Sequence, residues 1–199
     1  MAIFAFSSCS LQTTEGLRLI EPLISEVENP YFSDPEKDYV YKAKIEVYGR
    51  NLGGILIIKK VGPEAHRVVF TTEFGSKLLD FQYEGDTFTK NFIVSELDKK
   101  MIVRTLERDF KLLVTDRANV MEAYTSERQS VYKTLAGKRF NYYFFSKETR
   151  RLEKIVNSSK IKEKITILFE TSEKDIAQHI KIEHSDIKLK IELEIFKNN

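Results

Sequence analysis

The sequence predicts a mainly β fold with one helix: a strongly curved antiparallel sheet, or incomplete β-barrel, of about ten or eleven strands closed by a central helix. Three observations predict it. Apolar and charged residues alternate at a period of two through most of residues 39–94 and again through 130–196. The period switches to three and four between residues 96 and 114. The connections between the alternating runs are too short for parallel crossovers, which makes the arrangement an up-and-down meander. With one face of nearly every strand apolar, a sheet this wide must curl and have its inner face covered.

The chain opens on Ile3, Phe4, Ala5 and Phe6, then Ser7, Ser8 and its only cysteine, Cys9. An apolar leader, small residues and a Cys resemble the end of a bacterial lipoprotein signal, in which lipid is attached to the thiol and cleavage makes that Cys the new N-terminus. The alternative is a buried segment whose Cys packs as a small hydrophobe. On the lipoprotein reading, residues 1–9 are a residual signal ending at the lipidated Cys9, residues 10–38 a tether with a short helix, and residues 39–199 a single curved-sheet domain. Each buried methylene contributes about 0.8 kcal/mol, so a multiply acylated Cys9 would hold the chain on a membrane. No later stretch approaches the roughly 18 apolar residues of a spanning helix.

Leu17, Ile20, Leu23 and Ile24 recur at helical spacing and predict one short helix limited by Gly16 and Pro22. From Tyr39 the alternation begins: Tyr41, Ala43, Ile45 and Val47 share a face opposite Lys42, Lys44 and Glu46. Gly49 and then Gly53-Gly54 read as the turn into a second strand, Ile55 to Lys60. Further strands follow at Arg67 to Phe74, around Leu79, Phe81 and Tyr83, and at Phe88 to Val94. Ser95 and Asp98 have capping-box spacing, and Leu97, Met101, Ile102, Leu106, Phe110 and Leu113 form one apolar stripe, predicting an amphipathic helix over 96–114 that lies on the concave face of the sheet. Thr115 to Gln129 reads as a polar stretch, the one contestable boundary. Six strands complete the chain: Ser130 to Leu135, Arg139 to Phe145, Leu152 to Val156, Lys164 to Glu170, Ala177 to Glu183 and Ile187 to Phe196.

Composition narrows the function. Hydrophobic residues at 42% and charged residues at 31% exclude disorder and a polytopic membrane fold, and 32 basic against 30 acidic residues ask for no polyanion partner. A single Cys excludes an internal disulfide or Cys-based metal cluster within one chain. His66 stands apart, and His179 and His184 are five residues apart on one strand, which sends them to opposite faces; neither a metal nor a catalytic site is expected. Asp109, inside the helix, is either half of a lid latch with an Arg or an exposed partner one turn along the helix. Tyr142, Tyr143, Phe144 and Phe145 lie between basic residues, but four consecutive aromatics put two on each face of a strand, so nucleic-acid binding is not expected. What remains is a container, with Tyr41, Ala43, Ile45, Val47, Val68, Phe70, Leu79, Phe81, Leu106, Phe110 and Leu189 as candidate lining of a ligand cavity. No cofactor is expected, and the chain is expected to be a monomer.

Cys9, the early helix, the strand ending Val47-Tyr48-Gly49-Arg50, the hairpin Gly54-Ile55-Leu56-Ile57, the segment Arg67 to Gly75 and the helix ending Asp109-Phe110-Lys111-Leu112-Leu113 together resemble the LolA/LolB superfamily, the periplasmic carrier and outer-membrane receptor of bacterial lipoproteins. The resemblance implies an incomplete antiparallel barrel plugged by helices, with a hydrophobic cavity for lipid or lipoprotein acyl chains and no enzymatic activity. Cys9 fits the membrane-anchored receptor type, which places the chain in the cell envelope, at the outer membrane facing the periplasm. A filled core with a structural or assembly role is the alternative. The chain has no Trp, and no Leu or Trp stands at an obvious loop tip to probe a membrane.

Overall fold

A computed structural model describes residues 12–171 and 176–196. Cys9 lies outside the described residues. Among them, two three-residue strands come first, β1 (Arg18–Ile20) and β2 (Glu26–Glu28). A first meander follows: β3 (Asp38–Val47), β4 (Arg50–Gly62), β5 (Ala65–Thr71), β6 (Lys77–Glu84) and β7 (Thr87–Ile93). Helix α1 (Lys100–Val114) leads to a second meander. Its strands are β8 (Arg117–Thr125), β9 (Gln129–Ala136), β10 (Arg139–Ser146), β11 (Leu152–Ser158), β12 (Glu163–Glu170), β13 (His179–His184) and β14 (Leu189–Ile195).

All pairings are antiparallel, and the last strand closes onto the first long one. β14 pairs β3, which joins the two meanders into one sheet with β7 at one end and β1 and β2, both on β8, at the other. The sheet is not closed into a barrel. Charge and apolar pattern together set the central register. Ile191 faces Ile45 and Leu193 faces Ala43 on the inside, while Lys190 faces Glu46, Glu192 faces Lys44 and Glu194 faces Lys42 on the outside. A one-residue slip would turn the apolar faces outward, and a two-residue slip would set Lys190 against Lys44 or Glu192 against Glu46.

The depth of the curl follows from one dipeptide. The Tyr31 hydroxyl donates to the Leu152 carbonyl of β11 at 2.7 Å, and the next residue's carbonyl, that of Phe32, lies 2.9 Å from Nε2 of His66 on β5. β11 and β5 are six positions apart in the strand order, about 29 Å along a flat sheet. Neighbouring residues reach both because the sheet wraps around them. Tyr31 stacks on Phe169 with ring centroids 4.7 Å apart, and Phe32 meets Tyr39 edge-on at 5.2 Å, so this segment is an internal strut for the core.

α1 lies in the same core, burying Ile102, Leu106, Phe110, Leu113 and also Asp109. Four expectations are corrected here. The helix begins at Lys100 rather than 96, because residues 94–98 fold into turns and the Asp98 carboxylate is taken by Lys90 of β7 at 2.7 Å; the Ser95–Asp98 capping box does not form. Met101 is exposed, with its sulfur 3.3 Å from the Tyr48 hydroxyl. The predicted helix at Leu17 to Ile24 is instead β1 and the approach to β2, since β8 would otherwise present a bare edge. Residues 115–129, read as a polar stretch, contain β8.

The β3–β4 hairpin turns on Tyr48 (φ 49°) and Gly49 (φ 80°), the left-handed pair that a two-residue turn of this kind requires. Gly53-Gly54, expected in the turn, lies within β4. A Cβ on Gly54 would stand 1.9 Å from the Thr71 carbonyl oxygen, so only glycine lets β5 approach there.

Candidate functional site: a groove beside the buried helix

The eleven residues expected to line a cavity are all buried in the main hydrophobic core. Leu56, Ile58, Phe32 and Ile191 fill the space among them. An open groove lies elsewhere: about 1380 Å³ between the C-terminal half of α1, the Asn29–Pro30 approach to the strut, and the inner surface of β8 to β12. Its volume exceeds the roughly 300–1,000 Å³ of a small-molecule pocket. None of the eleven belongs to its wall.

α1 offers the groove the face carrying Arg108, Lys111, Leu112 and Thr115, one helical turn apart by spacing. Asn29 pins the C-terminal end, donating from Nδ2 to the Leu113 carbonyl at 2.9 Å while its backbone N–H donates to the Asp116 carbonyl at 2.7 Å. Lys111 donates to the Gly85 carbonyl of the β6–β7 turn, so the helix is tied to both ends of the open sheet. On the facing wall, Met121 of β8 is 50% exposed and borders the groove, while Leu135 of β9, 58% exposed, pairs Phe140 and shares the outer face with Val131 and Lys133.

The polar wall divides in two. At one end Lys60 holds Asp116 at 2.6 Å, His66 approaches the same carboxylate at 3.5 Å, and Arg117 holds Glu28 at 3.0 Å. Burial pushes the His66 imidazole below its ordinary value, against the opposing influence of the Phe32 carbonyl and Asp116. That suits a neutral ring donating to the Phe32 carbonyl. At the other end Arg139 of β10 donates to Oδ1 of Asn157 at 3.0 Å, and Asn157 donates to Asn141 at 2.7 Å.

Behind the groove sits the carboxylate that the sequence singled out. Asp109 is fully buried, and its Oδ2 lies 2.9 Å from Nε2 of His184 on β13; Oδ1 has no partner among the described residues. Burial pushes the Asp109 carboxyl up, and the hydrogen bond from His184 pulls it back down. Asp109 is therefore neither an exposed helix partner nor paired with an Arg; it fixes α1 to the sheet through a His. His179 is exposed and His184 faces inward, as the spacing of the two predicts. Tyr143 and Phe145 pack in the main core while Tyr142 and Phe144 form a second cluster on the outer face, the expected division of that aromatic run. Among the described residues no group of three or more His, Cys, Asp or Glu side chains could hold a metal, and no helix is long and apolar enough to cross a membrane.

No protein-family model and no curated protein sequence matches the chain. Solved structures do. A LolA superfamily protein from Nitrosomonas europaea superposes with a TM-score of 0.53 over 84% of this chain and 88% of that one, at 8% identity. The fold is LolA-like. A domain assigned to outer-membrane lipoprotein sorting from Vibrio parahaemolyticus gives a TM-score of 0.48 at 9% identity, covering 80% of this chain and 83% of its own. A DUF1329 family protein from Desulfovibrio piger gives 0.45 at 11% identity, covering 83% and 86%. With this LolA-like arrangement the resemblance drawn from the residues of β3 to α1 holds at the level of fold.

Proposed function

We propose that the chain is a non-enzymatic lipoprotein of the bacterial cell envelope that binds lipid or lipoprotein acyl chains in the groove beside α1, attached to the membrane through Cys9 and serving lipoprotein localisation at the outer membrane. The observation that carries this reading is the groove itself, a long opening with Leu112, Ala118, Met121 and Ile165 along its wall on a LolA-like frame. Exposed apolar side chains in a concave wall are an unfavourable surface in water and a favourable one for a hydrocarbon guest. Residues 1–9 are the signal remnant in this reading, and the binding domain takes in β1, β2 and the Tyr31–Phe32 strut ahead of residue 39. Phe74, 97% exposed in the β5–β6 turn, and Ile161, 89% exposed in the β11–β12 turn, stand at tips on the same edge of the sheet and suit contact with a bilayer.

A second reading, an envelope lipoprotein with a structural or assembly role, draws on the packed state of the core around Phe32 and Phe110. Native mass spectrometry and lipid extraction of the protein purified from bacterial membranes separate the two. Stoichiometric lipid supports the binding reading, and protein free of lipid, with no uptake on incubation with fatty acid, supports the structural one. The anchor is tested separately by Cys9→Ala, which is expected to release the protein from the membrane fraction; undiminished membrane association would refute attachment at Cys9.

A further inference from the structure

The apolar wall accounts for only part of the groove, because its polar side chains are not neutralised evenly. At the Asp116 end each strong cation has a partner: Lys60 pairs with Asp116, Arg117 with Glu28, and Lys111 is held by the Gly85 carbonyl. At the β10 end Arg108 and Arg139 line the same groove, and neither has a carboxylate within 4 Å among the described residues. Asp186, the acidic group whose charge Arg139 feels, is itself held by Lys162 and Lys164. Burial and the charge of Arg108 both push the Arg139 guanidinium below its ordinary value, as two cations facing one space must.

Hydrogen-bond capacity is unspent at the same place. Arg108 uses Nε on the Arg104 carbonyl and Arg139 uses one terminal nitrogen on Asn157, which leaves guanidinium donors of both side chains to the groove. Tyr143, 1% exposed, borders this end, with Asn141 and Thr134 as the polar neighbours of its hydroxyl. Guanidinium forks match the planar or tetrahedral oxygens of carboxylate and phosphate. Leu112, Met121 and Ile165 line the same groove.

We propose that Arg108 and Arg139 form an anion site at the β10 end of the groove, so that the preferred guest is an amphiphile with an anionic head, phosphate or carboxylate, and its chain along Leu112 and Met121. This rests on the acyl-binding reading for the chain and stands independently of it for the anion.

The test titrates the full chain by calorimetry with three probes: lysophosphatidylglycerol (anionic head), lysophosphatidylcholine (zwitterionic head) and inorganic phosphate. Wild type is expected to bind the anionic lysolipid about tenfold more tightly than the zwitterionic one, with a preference that falls as salt rises. Arg108→Gln with Arg139→Gln should abolish the preference while leaving the zwitterionic lysolipid bound. Equal affinity for the two lysolipids in wild type overturns the anion site and leaves the acyl-binding reading standing. Binding of phosphate that is lost in the double Arg variant, with neither lysolipid bound, supports the anion site for a free anion and overturns the acyl reading. No binding of any probe overturns both.

Discussion

Asp109 is the residue on which helix and sheet depend. It sits on the buried stripe of α1, three residues after Leu106 and four before Leu113, and its one partner is His184. Removing one half of a buried polar pair costs more than the pair contributes, because the other half stays desolvated. His184→Ala is therefore expected to destabilise the protein by about 3–5 kcal/mol in urea unfolding, and adding Asp109→Asn, which removes the stranded charge, to recover part of that loss. Additive losses from the two substitutions would show that the contact carries no coupling. The stripe position of Asp109 is readable from spacing alone, but its partner is 75 residues away, so sequence periodicity offers only the local alternatives, an exposed neighbour or an Arg. His66 is similar: its burial depends on the Phe32 carbonyl, which reaches it only because the sheet curls.

Among elements, β3 and β14 decide the architecture. Their alternation is the clearest in the chain, and the complementary order of Lys and Glu along the two outer faces is a pairing signal that is visible once the strands are set side by side. Lys44→Glu should destabilise by about 0.2–1 kcal/mol by facing Glu192 with a like charge, and Lys44→Glu with Glu192→Lys should restore stability, measured by thermal unfolding at low salt. Failure of the exchange to restore it would mean that the register rests on the apolar face alone. The eleven strands with sustained alternation are readable from sequence because one face is packed and the other solvated. β8 is not, for two physical reasons: its core-facing Ala118 and Val120 are only partly buried beside polar Arg117 and Asn119, and a bulge between Val120 and Glu122 breaks the period. β1 and β2, at three residues each, are too short to show a period and exist because β8 needs edge partners.

For the whole molecule, one sheet made of two meanders wraps around α1 and the Tyr31–Phe32 strut, which consume most of the interior the sequence leaves for a guest. Alternation identifies which side chains face inward, yet it does not distinguish a side chain packed against Phe32 from one facing an opening. The groove arises where the two ends of the sheet fail to meet and α1 covers the gap incompletely, a property of curvature that no local pattern encodes. The most direct measurement is photo-crosslinking of the full chain with a diazirine fatty acid, followed by peptide mapping. Label on the α1 and β8 peptides that carry Leu112 and Met121, competed away by unlabelled fatty acid, is the expected result. Label confined to the exposed turns at Phe74 and Ile161, or uncompeted label spread over the surface, would contradict a groove that holds an acyl chain.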